Sequence, residues 1–187
     1  MSEQAKTLGQ TILAALISGA VCSSVVGIIF AGYVARVEQE VKSQRTWKEE
    51  SVAELLGPMN IQLDRTKRAF CRWDEENRYL EAKVIKVGNE TVRNLLLTKG
   101  HLIPPHLLED AGSLVEHYDV WLEVFEEQRG GSEPELESRF VFAGPEGYPF
   151  PRGAEVRFKE AYWLYWHELY EPESLATGES APGPVEC

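Results

Sequence analysis

Thr7–Ala35 reads TLGQTILAALISGAVCSSVVGIIFAGYVA, 29 residues without a charge between Lys6 and Arg36. At ~1.5 Å of rise per residue a helix of this length is ~43 Å long, more than the ~30 Å of hydrocarbon in a bilayer. The densest apolar stretches are Ile12–Ile17 and Val25–Phe30; Ser18, Gly19, Cys22, Ser23 and Ser24 lie between them. Serine hydroxyls are tolerated in lipid because they bond back to their own helix or across to a neighbour. A cleaved signal needs a shorter core, ~7–15 residues, with a small-x-small site behind it. The run therefore predicts an uncleaved transmembrane helix over 7–35, with a short tail at 1–6.

Small residues recur at every fourth position of that run: Ala15, Gly19, Ser23, Gly27, Ala31 and Ala35. On a helix they form one stripe, and in lipid such stripes let two backbones approach closely. Small residues are frequent throughout this run, so composition alone also produces part of the pattern. The stripe predicts a homo-oligomer formed through the membrane helix. Cations set the orientation: Lys6 stands alone on one side, whereas Arg36, Lys42, Arg45 and Lys48 follow on the other. Positive residues stay inside, which predicts a cytoplasmic C-terminal part.

The part beyond the run is long enough for one domain with a core of its own. Residues 36–187 hold 18 basic and 29 acidic residues, a net charge of −11. An acidic balance of this size argues against a broad nucleic-acid surface. The three cysteines, Cys22, Cys71 and Cys187, form no CxxC pair or metal spacing, and are expected to be reduced thiols. Asn89-Glu90-Thr91 matches a glycosylation sequon that a cytoplasmic domain would never use.

Periodicity then predicts an all-α architecture. A juxtamembrane stalk helix spans 36–50, with Glu38 and Lys42 spaced for an ion pair. A cytoplasmic bundle of about four helices fills 51–171. In its first helix the apolar positions are Val52, Leu55, Leu56, Met59, Leu63, Phe70 and Trp73, and Pro58 predicts a kink or a fresh start. That helix also carries the one locally basic stretch, Asp64-Arg65 followed by Lys67, Arg68 and Arg72. The second covers roughly 75–99, weakened by Gly88 and stopped at Gly100. A third runs from about Pro105 to Gln128, with Leu107, Leu108, Ala111, Leu114, Val115, Tyr118, Leu122 and Phe125 as its apolar face. An acidic loop at 132–138, a short apolar segment at 140–142 and a Pro-rich aromatic turn precede the last helix, Arg152 to Tyr170. The tail 172–187 has a disorder-type composition.

The search for chemistry is mostly negative. The histidines are His101, His106, His117 and His167, and no HExxH is present. His101 and His106 flank prolines without the spacing of a metal site. His117 and Asp119, two apart on a helix, face different ways and cannot form one dyad. The Arg-x(4–6)-His pattern of a helical ribonuclease class is missing, as are a Gly-rich phosphate loop and a Gly-x-Ser-x-Gly elbow. No catalytic residue, cofactor or metal site is expected. Tyr162-Trp163-Leu164-Tyr165-Trp166 surrounds its helix with bulky side chains, which makes Trp163 and Trp166 the candidate surface for a protein partner or for the membrane interface.

Three functions fit these observations. The first is a single-pass membrane-anchored interaction or scaffold module with the bilayer and copies of itself as partners. The second is an oligomeric pore-forming or membrane-disrupting effector. Its layout, though no residue motif, is similar to that of small one-span helical proteins of prokaryotic defence loci. The third is a membrane-bound enzyme with a site around Asp64, Arg65, His117 and Asp119.

Overall fold

A computed structural model of the chain describes Ile28 and residues 30–73, 77–130 and 149–171. Most of the predicted membrane run lies outside these residues, including Ala15, Gly19, Ser23 and Gly27 of its stripe. So do the acidic loop, the segment 140–142 and the tail 172–187. The described residues are helical with no strand, and among them no helix is long and apolar enough to cross a membrane.

The chain divides into two units, Met1–Thr46 and Trp47–Cys187. In the first, residues 30–46 are helical (α1) and largely exposed, Ala31 and Ala35 included. Arg36 Nε donates to Glu40 Oε1 at 3.2 Å, so this pair closes in place of the expected Glu38–Lys42 pair.

The second unit is a helical bundle. A π-turn, Ser51–Leu56, leads directly into α2, Gly57–Arg72. Pro58 thus stands in the first turn of α2, in line with the kink or fresh start that its sequence position suggests, and the helical path continues through it. Its ring would strike the carbonyl four residues back in a regular α-helix. The wider turn, in which the Gly57 N–H bonds to Val52 O, opens that spacing. A second π-turn, Leu80–Ile85, precedes α3, Lys86–Thr98. The start of this helix is fixed by Asn77, whose Oδ1 accepts from the Leu80 N–H at 3.1 Å. Short 3-10 turns at Gly100–Leu102 and Pro105–Leu107 carry the chain into α4, Leu108–Arg129, and α5 follows at Arg152–Tyr170.

α2 and α4 each pack against both α3 and α5 and stand at diagonal corners. The main core joins Leu55, Leu56, Met59 and Leu63 to Val92, Leu96, Leu107, Leu114 and Phe158. A smaller cluster gathers Ala69, Leu80, Val84 and Ile85 around Trp121 and Phe125, whose rings stack with centroids 5.3 Å apart. The apolar face expected of α4 is rotated by one residue near its end: Trp121 is fully buried, Leu122 half-buried and Leu108 exposed. Positions 111, 114, 118, 121 and 125 keep the three-and-four spacing, and the indole brings more apolar area to that stripe than Leu122 would. Phe70, likewise expected inside, is 43% exposed while Ala69 is buried.

Cys71 is disulfide-bonded in this structure, where the sequence led to an expectation of reduced thiols. The other two cysteines, Cys22 and Cys187, lie outside the described residues.

Gly88 is buried where α3 crosses α2. A Cβ there would overlap Thr66 Oγ1, a buried hydroxyl oxygen without a hydrogen-bond partner. The glycine that weakens α3 in sequence thus permits the close approach of two helices. Gly88→Ala should destabilise the protein by ~1–3 kcal/mol in denaturant unfolding despite alanine's higher helix propensity. Thr66→Ala combined with it should recover most of the loss, because the overlapping oxygen is gone.

Candidate functional site

The most concentrated polar chemistry inside the bundle is carried by α2, α4 and α5. Glu155 and Lys159 lie four apart on α5, next to the core residues Ala154 and Phe158, so helical geometry draws both inward. Lys159 Nζ donates to Glu155 Oε1 at 2.9 Å and to Asp64 Oδ1 of α2 at 2.5 Å. Glu155 is 4% exposed and Lys159 9%. Burial, the strongest single influence, pulls the lysine pKa down. The hydrogen bonds and charges of Asp64 and Glu155 together outweigh it and leave the pKa above the ordinary lysine value. The amine stays an ammonium at neutral pH and is not poised as a nucleophile.

Tyr118 of α4 is buried in the same core, and its phenol pKa is driven far upward, first by burial and then by the negative charge of Glu155. It stays protonated. His117 beside it is buried, with its ring 5.4 Å from Tyr118 and 5.3 Å from Phe150, both edge-on. The cluster thus holds a protonated amine and a protonated phenol around the buried Glu155.

A second buried pair lies at the other end of the bundle. Arg129 Nε donates to Glu81 Oε1 at 2.7 Å with both side chains almost fully enclosed, and Arg78 Nη1 reaches Glu81 Oε2 at 3.3 Å. A more exposed pair joins Arg157 of α5, with 54% of its side chain exposed, to Asp110 in the first turn of α4 through a forked contact, Nε to Oδ2 at 2.6 Å and Nη2 to Oδ1. Hydrogen bonds from Arg157 hold the Asp110 carboxyl below the usual aspartate range, against the upward pull of burial.

The beginning of the bundle is tied down as tightly. Trp47 Nε1 donates to His101 O at 3.0 Å, and its ring meets Tyr165 edge-on at 6.0 Å. Lys48 Nζ sits 2.5 Å from Glu168 Oε2 and 5.1 Å from the Tyr165 ring centre. Ser51 Oγ, fully buried, donates to Leu102 O at 2.9 Å.

The residues considered for a hidden enzyme site do not converge. Asp64 goes to Lys159, Asp119 pairs with Arg93 of α3, Arg65 contacts only the Gln62 amide, and His117 packs among rings. Among the described residues no group of three metal-ligating side chains comes together, and His101 and His106 are both exposed. Trp163 and Trp166 are half-buried, their rings 5.9 Å apart, and Trp166 packs against the main core. Beside them Leu164 and Tyr170 are 46% and 55% exposed. Glu155, Lys159 and Glu81 escape a reading of sequence that takes charges to be surface. The available signal is a Glu–Lys pair at spacing four touching an apolar stripe. No known protein family, curated protein or solved structure matches this chain.

Two predictions follow from the ion pairs. Lys159→Met should cost about 2 kcal/mol in urea unfolding, less than the ~3–5 kcal/mol of a wholly buried pair because Asp64 still reaches water. Adding Glu155→Gln should recover part of it. Asp110, with its folded pKa depressed, stabilises the fold above its unfolded pKa and loses that contribution as pH falls through the folded value. The stability gap between the native protein and Asp110→Asn should hold from neutral pH to ~5 and shrink below ~4, as followed by thermal melts.

Proposed function

We propose that this chain is a single-pass membrane-anchored helical interaction module that self-associates through its anchor. The observation that carries this reading is the 29-residue charge-free run Thr7–Ala35, long enough to cross a bilayer, ahead of a bundle that forms its own compact unit from Trp47 on. The charge-free run Thr7–Ala35 supplies the tether and its small-residue stripe the contact between copies. The interior supports a binding role over a catalytic one, since its buried charges are engaged with one another.

We propose, from the cations that follow the run, that the bundle lies on the cytoplasmic side, where Cys71 would be kept reduced. A disulfide at Cys71 belongs to an oxidising compartment, so the state of this exposed cysteine in cells decides the side. In the proposed orientation a membrane-permeant maleimide labels Cys71 without prior reduction and an impermeant one does not. Labelling only after reduction, by the impermeant reagent, reverses the orientation.

Self-association is tested on the full chain in mild detergent. Gly19→Leu with Gly27→Leu should reduce the oligomer to a smaller species, because leucine side chains hold the backbones apart. Unchanged mass removes the stripe as an interface. Leakage of a small dye from expressing cells, lost in the same variant, would favour a membrane-disrupting effector over a tether.

A further inference from the structure

The exposed side of α2 presents Arg65, Arg68 and Arg72, which lie within ~60° of one another around the helix, with Ile61 on the same strip and 66% exposed. None of the three arginines closes an ion pair among the described residues; Arg65 reaches only the Gln62 amide. This is unusual in a bundle whose other arginines and lysines mostly meet carboxylates, as Arg78, Lys86, Arg93 and Lys99 do. It is more so in a chain of net charge −11, which has carboxylates to spare.

α4 carries the complement. Glu109, Glu116, Glu123 and Glu127 are exposed and fall within ~40° around the helix. They too close no ion pair among the described residues. Arg65 and Arg72 are seven residues apart, and so are Glu109 and Glu116, and Glu116 and Glu123; on helices each interval is ~10.5 Å. α2 and α4 occupy diagonal corners, so the arginine face and the glutamate face belong to different corners of the bundle.

We infer that copies of this chain meet head to tail, the arginine face of α2 on one docking against the glutamate face of α4 on the next. A face that pairs with a different face makes a heterologous contact, which propagates into rings or open rows instead of stopping at a dimer. An anionic leaflet is the competing partner for the arginines. The excess negative charge of the chain opposes that approach, whereas the glutamate face offers matched charge at matched spacing. The inference deepens the self-association proposed above by adding a second contact, in the bundle, that does not depend on the small-residue stripe.

The test uses the full chain in detergent, followed by sedimentation velocity. Reversing α2 (R65E, R68E, R72E) or α4 (E109K, E116K, E123K) should each cause an about two-fold or greater fall in oligomer mass. All six positions are exposed, and unchanged circular-dichroism melts confirm that the variants fold. Co-expression of the two reversed chains should restore the large species, since the acidic α2 of one then faces the basic α4 of the other. Rising salt should dissociate the native assembly. In the Gly19→Leu, Gly27→Leu background the salt-sensitive association should persist, which separates this contact from the membrane stripe. Unchanged mass after either reversal, or no recovery on co-expression, overturns the inference. So does an α2 reversal that leaves mass intact while abolishing pelleting with phosphatidylcholine–phosphatidylserine vesicles, which assigns the arginines to lipid.

Discussion

A charged amine enters the interior of a helical bundle only where carboxylates meet it. Lys159 satisfies that condition with one partner on its own helix and one on α2, and the phenol of Tyr118 on α4 lies beside the same carboxylate, Glu155. Apolar side chains alone tolerate rotation and sliding, because burial has no direction. A hydrogen-bonded ammonium does not. The axial position of α5 against α2 is therefore set by this contact, and the aromatic side chains that follow along α5 are placed by it in turn. Glu81 with Arg129 repeats the device at another joint, while Asp110 with Arg157 ties α4 to α5 nearer the surface.

Much of the bundle was legible in the sequence. The limits of α5 coincide with its predicted limits, because Pro151 and the acidic tail bound a clear run of three-and-four spacing. α4 begins where the double proline places it. What escaped was local. Pro58 reads as a kink or a fresh start, and the form it takes is a π-turn, which nothing in composition announces. Leu122 and Trp121 are neighbours, and hydropathy alone favours the leucine; packing favours the larger ring. Gly88 reads as a weak point in a helix and is instead a place where a side chain would overlap Thr66 of the neighbouring helix. The candidate polar site was half visible: Asp64 was in view, but its partners Glu155 and Lys159 sit inside an apolar stripe where periodicity assigns charge to solvent.

Surface charge is as organised as the interior. Exposed arginines gather on one face of α2 and exposed glutamates on one face of α4, while many of the remaining cations close ion pairs within the bundle. Isolated surface pairs contribute little to stability, so segregated and unpaired faces bear more on association than on folding. A body of this kind gains from being concentrated on a surface, because confinement raises the effective concentration of weak, repeated contacts. The charge-free run ahead of it is the element that would provide the confinement.

Anchoring in lipid is the claim on which that picture turns. Its most direct test is alkaline carbonate extraction of membranes from cells producing the full chain, read by recovery in pellet and supernatant. Integral insertion through Thr7–Ala35 leaves the intact chain in the pellet and yields it only to detergent. Recovery of the intact chain in the carbonate supernatant, or as a cytosolic protein before extraction, contradicts it.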